Sequence, residues 1–274
     1  MDSNTVSVGD ATYNYYEIAN PGKPKLLMLH GMMVESHCFE KVAAELKNDF
    51  HIFLLDLKGH GKSSDGASYD AAYSNEVICN DLKAIHQQII GEPCHLAGYS
   101  LGGQYSLLLA GSHPECLKTV TLIDSGPDVS FKGMLAILMA IFKTPKFFKN
   151  ADHVRKFYGN SVFGLGDYML KHCLRELDGG RYAIRYDKKN VAPGTFAKAK
   201  VRTLAIWDAC AKLTTPVRVL RAEKSFVLND KICHRMQTNP KIEVVLMPGM
   251  EHNLVFAEPK AVAEQLREFT GRHA

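Results

Sequence analysis

Ser100 lies in the stretch Gly98-Tyr99-Ser100-Leu101-Gly102-Gly103, with a glycine two positions before it and another two after. A short apolar run, Pro93-Cys94-His95-Leu96-Ala97, precedes the stretch, and a helical segment from Gln104 to Gly111 follows it. A tight turn between strand and helix forces the central serine into a strained backbone conformation, which small neighbours permit by removing clashes. The hydroxyl is then held at the carboxyl edge of a sheet, beside helix N–H groups that favour developing negative charge. A serine so placed suits attack on a carbonyl, provided a base comes within hydrogen-bond reach. Alone, the stretch also describes an ordinary Gly/Ser turn.

Other chemistry is poorly supplied. The seven cysteines, at 38, 79, 94, 116, 173, 210 and 233, form no C-x-x-C pair and no zinc-like spacing with histidine. They read as reduced thiols of a cytoplasmic protein, and no metal or organic cofactor is implied. Gly61-Lys62-Ser63 resembles the end of a phosphate-binding loop, but Asp56 stands where the first glycine is required. The run from Gly59 through Gly61 to Ser64 likewise lacks the third glycine of a dinucleotide fingerprint.

The elements that must position Ser100 follow from the pattern of apolar runs. Residues 5–18 read as two alternating strands joined around Gly9-Asp10. Continuous apolar runs at Leu26–Leu29, Phe50–Leu55, Leu117–Ile123, Val217–Leu220 and Ile242–Leu246 have the character of buried strands. Helical segments at Ser36–Lys47, Asn75–Ile90, Thr203–Lys212 and Pro259–Thr270 alternate with them. Strand–helix alternation at this spacing predicts a mostly parallel eight-stranded sheet flanked by helices, with sites at the carboxyl ends of strands. The rhythm breaks between residues 128 and 200, where helical pieces occur without a clear strand. The expected division is a core of residues 1–127 and 201–274 with a helical cap of residues 128–200.

With 46% hydrophobic and 23% charged residues, the chain has the composition of a soluble globular protein. No leader-like segment opens it, and no apolar run is long enough for a membrane span. The net charge of +4 hides an asymmetry: residues 131–200 hold 14 Lys/Arg and 5 Asp/Glu, leaving 19 basic and 24 acidic residues elsewhere. A basic insertion could steer an anionic substrate or simply be a solvated face. No aromatic-interleaved basic motif or recognition helix points to nucleic acid. A small-molecule substrate is the expected partner.

Four ordered motifs carry a resemblance. They are His30-Gly31, the Asp56-x-x-Gly59-His60-Gly61-x-Ser63 loop, the Ser100 turn, and His252 in a Gly-x-x-His loop after the final strand. Together they resemble the α/β-hydrolase-fold family over nearly the whole chain. The resemblance implies a catalytic order of serine, acid and histidine, making Ser100 the nucleophile and His252 the base among twelve histidines. It implies that His30 and His60 brace turns, and that the backbone N–H groups of Met32 and Leu101 form an oxyanion hole. His37, His51, His86 and His113 lie in or beside helices and strands, where a structural role is expected.

The acid departs from the common pattern. Where many relatives carry a carboxylate after the penultimate strand, this chain has Arg221-Ala222-Glu223-Lys224-Ser225-Phe226. Phe226 cannot orient an imidazole. A subset of the family places its acid one strand earlier, which points to Asp124, with Asp230 and Glu223 as alternatives. Met32 and Met33 are expected beside the pocket. The apolar segment Met134–Phe142, including Leu138 and Phe142, is expected to form a chamber above Ser100, backed by Phe163, Leu165 and Met169. Arg155, Arg175, Arg181 and Arg185 could instead hold a carboxylate. The resemblance favours hydrolysis of a carboxylic ester or lactone, similar to N-acyl-homoserine lactonases of this fold. Its alternatives are an amide hydrolase of a small carboxylated substrate, a cofactor-free dioxygenase of N-heteroaromatic rings, and a non-catalytic ligand-binding relative.

Overall fold

The structure is a computed structural model that describes residues 2–159, 165–188 and 196–273. The chain opens with an antiparallel hairpin, β1 (Ser3–Val8) and β2 (Ala11–Ile18), turning at Gly9 with φ of 60°. Next come β3 (Lys25–Leu29), α1 (Glu40–Leu46) and β4 (His51–Leu55). After α2 (Tyr69–Ala72) and α3 (Asn75–Ile89), β5 (Cys94–Tyr99) leads into α4 (Leu101–Ser112), followed by β6 (Leu117–Ile123). The later core elements are α8 (Phe196–Lys212), β10 (Val217–Ala222), α9 (Asp230–Met236), β11 (Ile242–Met247), α10 (Leu254–Ala257) and α11 (Pro259–Gly271).

These strands form one eight-stranded sheet in the order β1-β2-β4-β3-β5-β6-β10-β11. Only the pairings β1–β2 and β2–β4 are antiparallel; the rest are parallel. The continuous apolar runs are explained by burial on both faces. In β3, Leu27 and Leu29 pack on the side of α3, α4 and α8, while Leu26 and Met28 pack on the side of α1 and α11. All six residues of β5 are buried. That places the turn after β5 in the middle of a rigid sheet.

Between β6 and β10 the chain leaves the sheet and returns beside its point of departure, since Ile123 pairs with Leu220. This insertion contains α5 (Phe131–Lys143), β7 (Phe147–Phe148), α6 (Ala151–Tyr158), α7 (Leu165–Tyr168), a π-helical turn at Met169–Cys173, β8 (Leu174–Leu177) and β9 (Arg181–Ile184). The expectation of helices alone is corrected here. Strands β7, β9 and β8 form a small antiparallel sheet. They are two to four residues long, too short to show a two-residue period in the sequence. The insertion has its own apolar core of Phe148, Val154, Met169, Cys173 and Leu174. Phe163 lies outside the described residues.

Among the described residues no helix is long and apolar enough to cross a membrane. All seven cysteines are buried and unpaired.

Candidate active site

Ser100 is the single residue between β5 and α4, with φ of 51° and ψ of −112°. The turn is held by hydrogen bonds onto its carbonyl oxygen, from Gly103 N–H at 3.0 Å, Gln104 N–H at 3.3 Å and Ser125 Oγ at 2.5 Å. Close packing, rather than backbone angle, explains the surrounding glycines. A Cβ on Gly102 would stand 2.1 Å from the Leu29 carbonyl oxygen, and one on Gly98 would stand 2.4 Å from Ser106 Oγ. Backbone oxygen at that range cannot step aside. Gly102→Ala is therefore expected to destabilise the protein by about 3 kcal/mol or more, through displacement of α4 from β3. Gly271→Ala, where a Cβ meets nothing within 4 Å, is the control in thermal unfolding. Equal Tm values for the two variants would contradict this reading.

Asp124 caps the end of β6 with its carboxylate fully buried. One oxygen accepts from Ala222 N–H at 3.0 Å; the other accepts from Ser225 Oγ at 2.7 Å and lies 2.7 Å from His252 Nδ1. Since a buried carboxylate only accepts, Nδ1 carries the proton and Nε2 is left as the acceptor. The His252 ring is held between Tyr99 and Phe226, with centroids 5.2 and 4.9 Å away. Phe226 thus stands edge-on against the imidazole, a packing role that the sequence pattern left unread. Asp230 pairs with Arg221, and Glu223 accepts from Gly249 N–H at 2.6 Å. Neither of these alternatives touches His252.

Ser100, Asp124 and His252 all line one cavity of about 300 Å³. Within the described residues the Ser100 hydroxyl makes no hydrogen bond of its own, a looseness common at sites before substrate binds. Met33 (φ 69°), Ser100 (51°) and Asp124 (43°) are the non-glycine residues of positive φ among those described, and all three border the cavity. Backbone strain of this kind concentrates where surrounding structure holds functional groups in place.

Met32 and Leu101 also line the cavity, and neither backbone N–H has a partner among the described residues. Gly31 supports this arrangement: a Cβ there would come within 2.9 Å of the Tyr99 ring. His30 donates from Nδ1 to the Gly31 carbonyl at 2.7 Å and accepts from Leu57 N–H at 2.9 Å. His60 donates to the Lys58 carbonyl at 3.2 Å and accepts from Met33 N–H at 3.3 Å. Burial keeps both imidazoles neutral, lowering the His30 pKa and pushing that of His60 down to about 3. Asp56 gathers the neighbouring loops by accepting from Ser36 N–H, Lys62 N–H and the Asn14 amide. These residues shape the site from behind.

The insertion roofs the cavity with part of the expected set, Leu165 and Met169, but not with Leu138, Phe142, Arg155 or Arg181. Ala136, Ile137 and Ala140 of α5 form the lining, together with Leu165 and Met169. Leu138 is 54% exposed and Phe142 84% exposed, both outside the cavity. The segment is apolar nearly all round, so its sequence carried no period to say which face turned inward. Arg155 pairs with Asp152 and Asp167, and Arg181 reaches the Asp178 carbonyl at 3.4 Å. No Lys or Arg borders the cavity among the described residues; Asp124, Asp128 and His252 are its titratable lining apart from tyrosines.

A second cluster lies nearby. Glu35, His37 and His172 place ligand-type atoms within 4.8 Å of one another. Glu35 is already engaged: His37 Nδ1 lies 2.9 Å away, and Tyr168 Oη donates to the carboxylate at 3.1 Å. The His37 and His172 rings stack at 4.3 Å. The cluster joins the loop after β3 to the insertion.

A mostly parallel sheet with a strained serine turn after β5 and a buried acid–imidazole pair beside it defines a class of protein. The chain belongs to the α/β-hydrolase fold family, whose pattern matches residues 24–258. It is similar to 2-(acetamidomethylene)succinate hydrolase of Mesorhizobium japonicum, 22% identical over 97% of this chain and 94% of that one. It is also similar to 3-hydroxybutyrate-oligomer hydrolase of Cupriavidus necator, 23% identical over 94% of this chain and 92% of that one. The crystal structure of an E-2-(acetamidomethylene)succinate hydrolase superposes with a TM-score of 0.86 at 21% identity, covering 98% of this chain and 99% of that one. The relatives are hydrolases; the shared fold is what these likenesses establish.

Proposed function

We propose that the protein is a serine hydrolase of carboxylic esters or lactones bearing an apolar acyl group. In this reading Ser100 attacks the carbonyl carbon while His252 Nε2 takes its proton. Asp124 holds the imidazole in the required tautomer and stabilises the imidazolium. The N–H groups of Met32 and Leu101 receive the oxyanion, a contribution of about 10²–10³ in rate for each donor in comparable sites. His252 then returns the proton to the leaving oxygen, and water repeats the sequence to release the acid. Residues 128–200 act as the cap, with the inner face of α5 against the acyl group.

The observation that carries this reading is the shared cavity of Ser100 and the buried Asp124–His252 pair, otherwise lined mainly by apolar side chains. Its volume of about 300 Å³ suits a medium-length acyl chain, and N-acyl-homoserine lactones are a class of that size and character. An amide substrate remains the second reading, favoured by the full-length likeness to 2-(acetamidomethylene)succinate hydrolase. A succinate, however, would meet Asp124 and Asp128 here and no lining Lys or Arg among the described residues.

A panel of p-nitrophenyl esters, acyl lactones and small amides separates these readings. Ester or lactone turnover is expected, optimal at medium acyl length and abolished in Ser100→Ala, together with labelling by a serine-directed fluorophosphonate. Turnover that survives in Ser100→Ala, or oxygen uptake with a quinolone in place of ester cleavage, would overturn the proposal.

A further inference from the structure

The outer face of α5 carries the largest group of exposed apolar side chains among the described residues. Phe131, Leu135, Leu138, Met139 and Phe142 are all exposed, Phe131 by 78%. At 3.6 residues per turn they fall within roughly 100° of arc, a continuous stripe about 20 Å long. The three cavity-lining residues of the helix, Ala136, Ile137 and Ala140, occupy the opposite side. Two features hold the helix in that orientation. Ser130 Oγ caps its N-terminus through Gly133 N–H at 3.0 Å, and Gly133 is packed where a Cβ would meet the Phe226 carbonyl oxygen at 2.4 Å. An apolar stripe of this extent is far more than scattered surface leucines.

Charge around the stripe identifies what would cover it. Residues 129–151 contain Lys132, Lys143, Lys146 and Lys149, all exposed, and no Asp or Glu. A second copy docked through the same face would bring these lysines against their own equivalents, because a two-fold interface pairs a patch with itself. A flat anionic surface would instead receive the lysines at its headgroups and the stripe at its acyl boundary.

We propose that α5 docks the protein on anionic lipid surfaces, with its apolar stripe in the interface and its lysines at the headgroups. Since the inner side of the same helix roofs the cavity, docking sets the cavity beside the lipid phase. The substrate class is then lipid-soluble acyl esters that partition into the bilayer. That last step rests on the hydrolase reading; the docking itself does not.

The test is flotation of the full-length protein with vesicles of phosphatidylcholine alone or with 30% phosphatidylglycerol, a composition chosen as roughly that of a strongly anionic membrane. Binding is expected with the anionic vesicles, weakened by salt, and at least tenfold weaker with the neutral ones. Phe131→Ser/Leu135→Ser and Lys132→Glu/Lys143→Glu should each lower anionic binding at least tenfold while keeping turnover of soluble p-nitrophenyl butyrate. Ser100→Ala should bind as well as the wild type, which separates failure of docking from failure of catalysis. Absence of wild-type binding to anionic vesicles would overturn the proposal. So would binding unchanged in both double variants, or a solution dimer that Phe131→Ser/Leu135→Ser converts to monomer.

Discussion

Asp124→Asn is expected to lower kcat/KM for the best ester by roughly 10⁴-fold with little change in fold. The hydrogen bonds around the carboxylate dictate this. Ala222 N–H needs an acceptor on one side, so the amide oxygen settles there and the amide nitrogen turns toward Ser225 and His252. Ser225 Oγ already accepts from Val227 N–H at 3.2 Å and Leu228 N–H at 2.9 Å. The imidazole must then accept at Nδ1, which moves its proton to Nε2 and removes the base. Ser225→Ala, which costs the carboxylate one hydrogen bond and leaves the tautomer intact, should lose only about tenfold. Steady-state kinetics on both variants, with circular dichroism to verify the fold, checks the pair. Activity of Asp124→Asn within tenfold of wild type would remove Asp124 from the mechanism.

The second large effect is on stability in mild acid. Burial pushes the pKa of His60 down to about 3, and those of His95 and His172 down to about 4, from 6.5 in the unfolded chain. Each folded pKa lies below its unfolded value, so the unfolded chain takes up the proton first as pH falls. Stability is therefore full above about pH 7 and declines from pH 6.5 toward pH 4 as the unfolded state gains protons. Each tenfold difference in proton affinity between the folded and unfolded states is worth about 1.4 kcal/mol, so the three groups together cost the fold several kcal/mol by the lower end. Urea unfolding at intervals between pH 7 and 5, above the range where most carboxylates titrate, should show a falling midpoint and proton uptake on unfolding. A midpoint constant over that interval would show that these imidazoles become charged in the folded protein.

The sheet was legible because its central strands are buried on both sides, which writes them as short continuous apolar runs, while the edge hairpin shows as two-residue alternation. Ser100 was legible for a related reason: glycines at 98 and 102 are demanded by close contacts with neighbouring elements, and that demand shows in the sequence. Phe226 excluded the common position of the acid, and resemblance to a subset of the family pointed to Asp124, with Asp230 and Glu223 as alternatives. Of the three, Asp124 is the one in contact with His252. The insertion was much less legible. Its strands are too brief to show a period, and α5 is apolar on both sides for two different reasons. Leu138 and Phe142 could not be told from Ala136 and Ala140 by hydrophobicity alone; only the surroundings of the helix distinguish them. Phe226 shows the same limit, since a change away from a carboxylate does not reveal that the new ring supports the imidazole.

One connection joins the roof of the cavity to its chemistry. Ser130, at the start of α5, donates from Oγ to the Phe226 carbonyl at 2.5 Å and from its N–H to the Val227 carbonyl at 2.7 Å. Phe226 is the residue whose ring abuts His252, and Ser225 before it holds Asp124. The roof and the acid–base pair therefore share a pivot. Any displacement of Ser130 at the start of α5 would act on the backbone that carries the ring beside the imidazole.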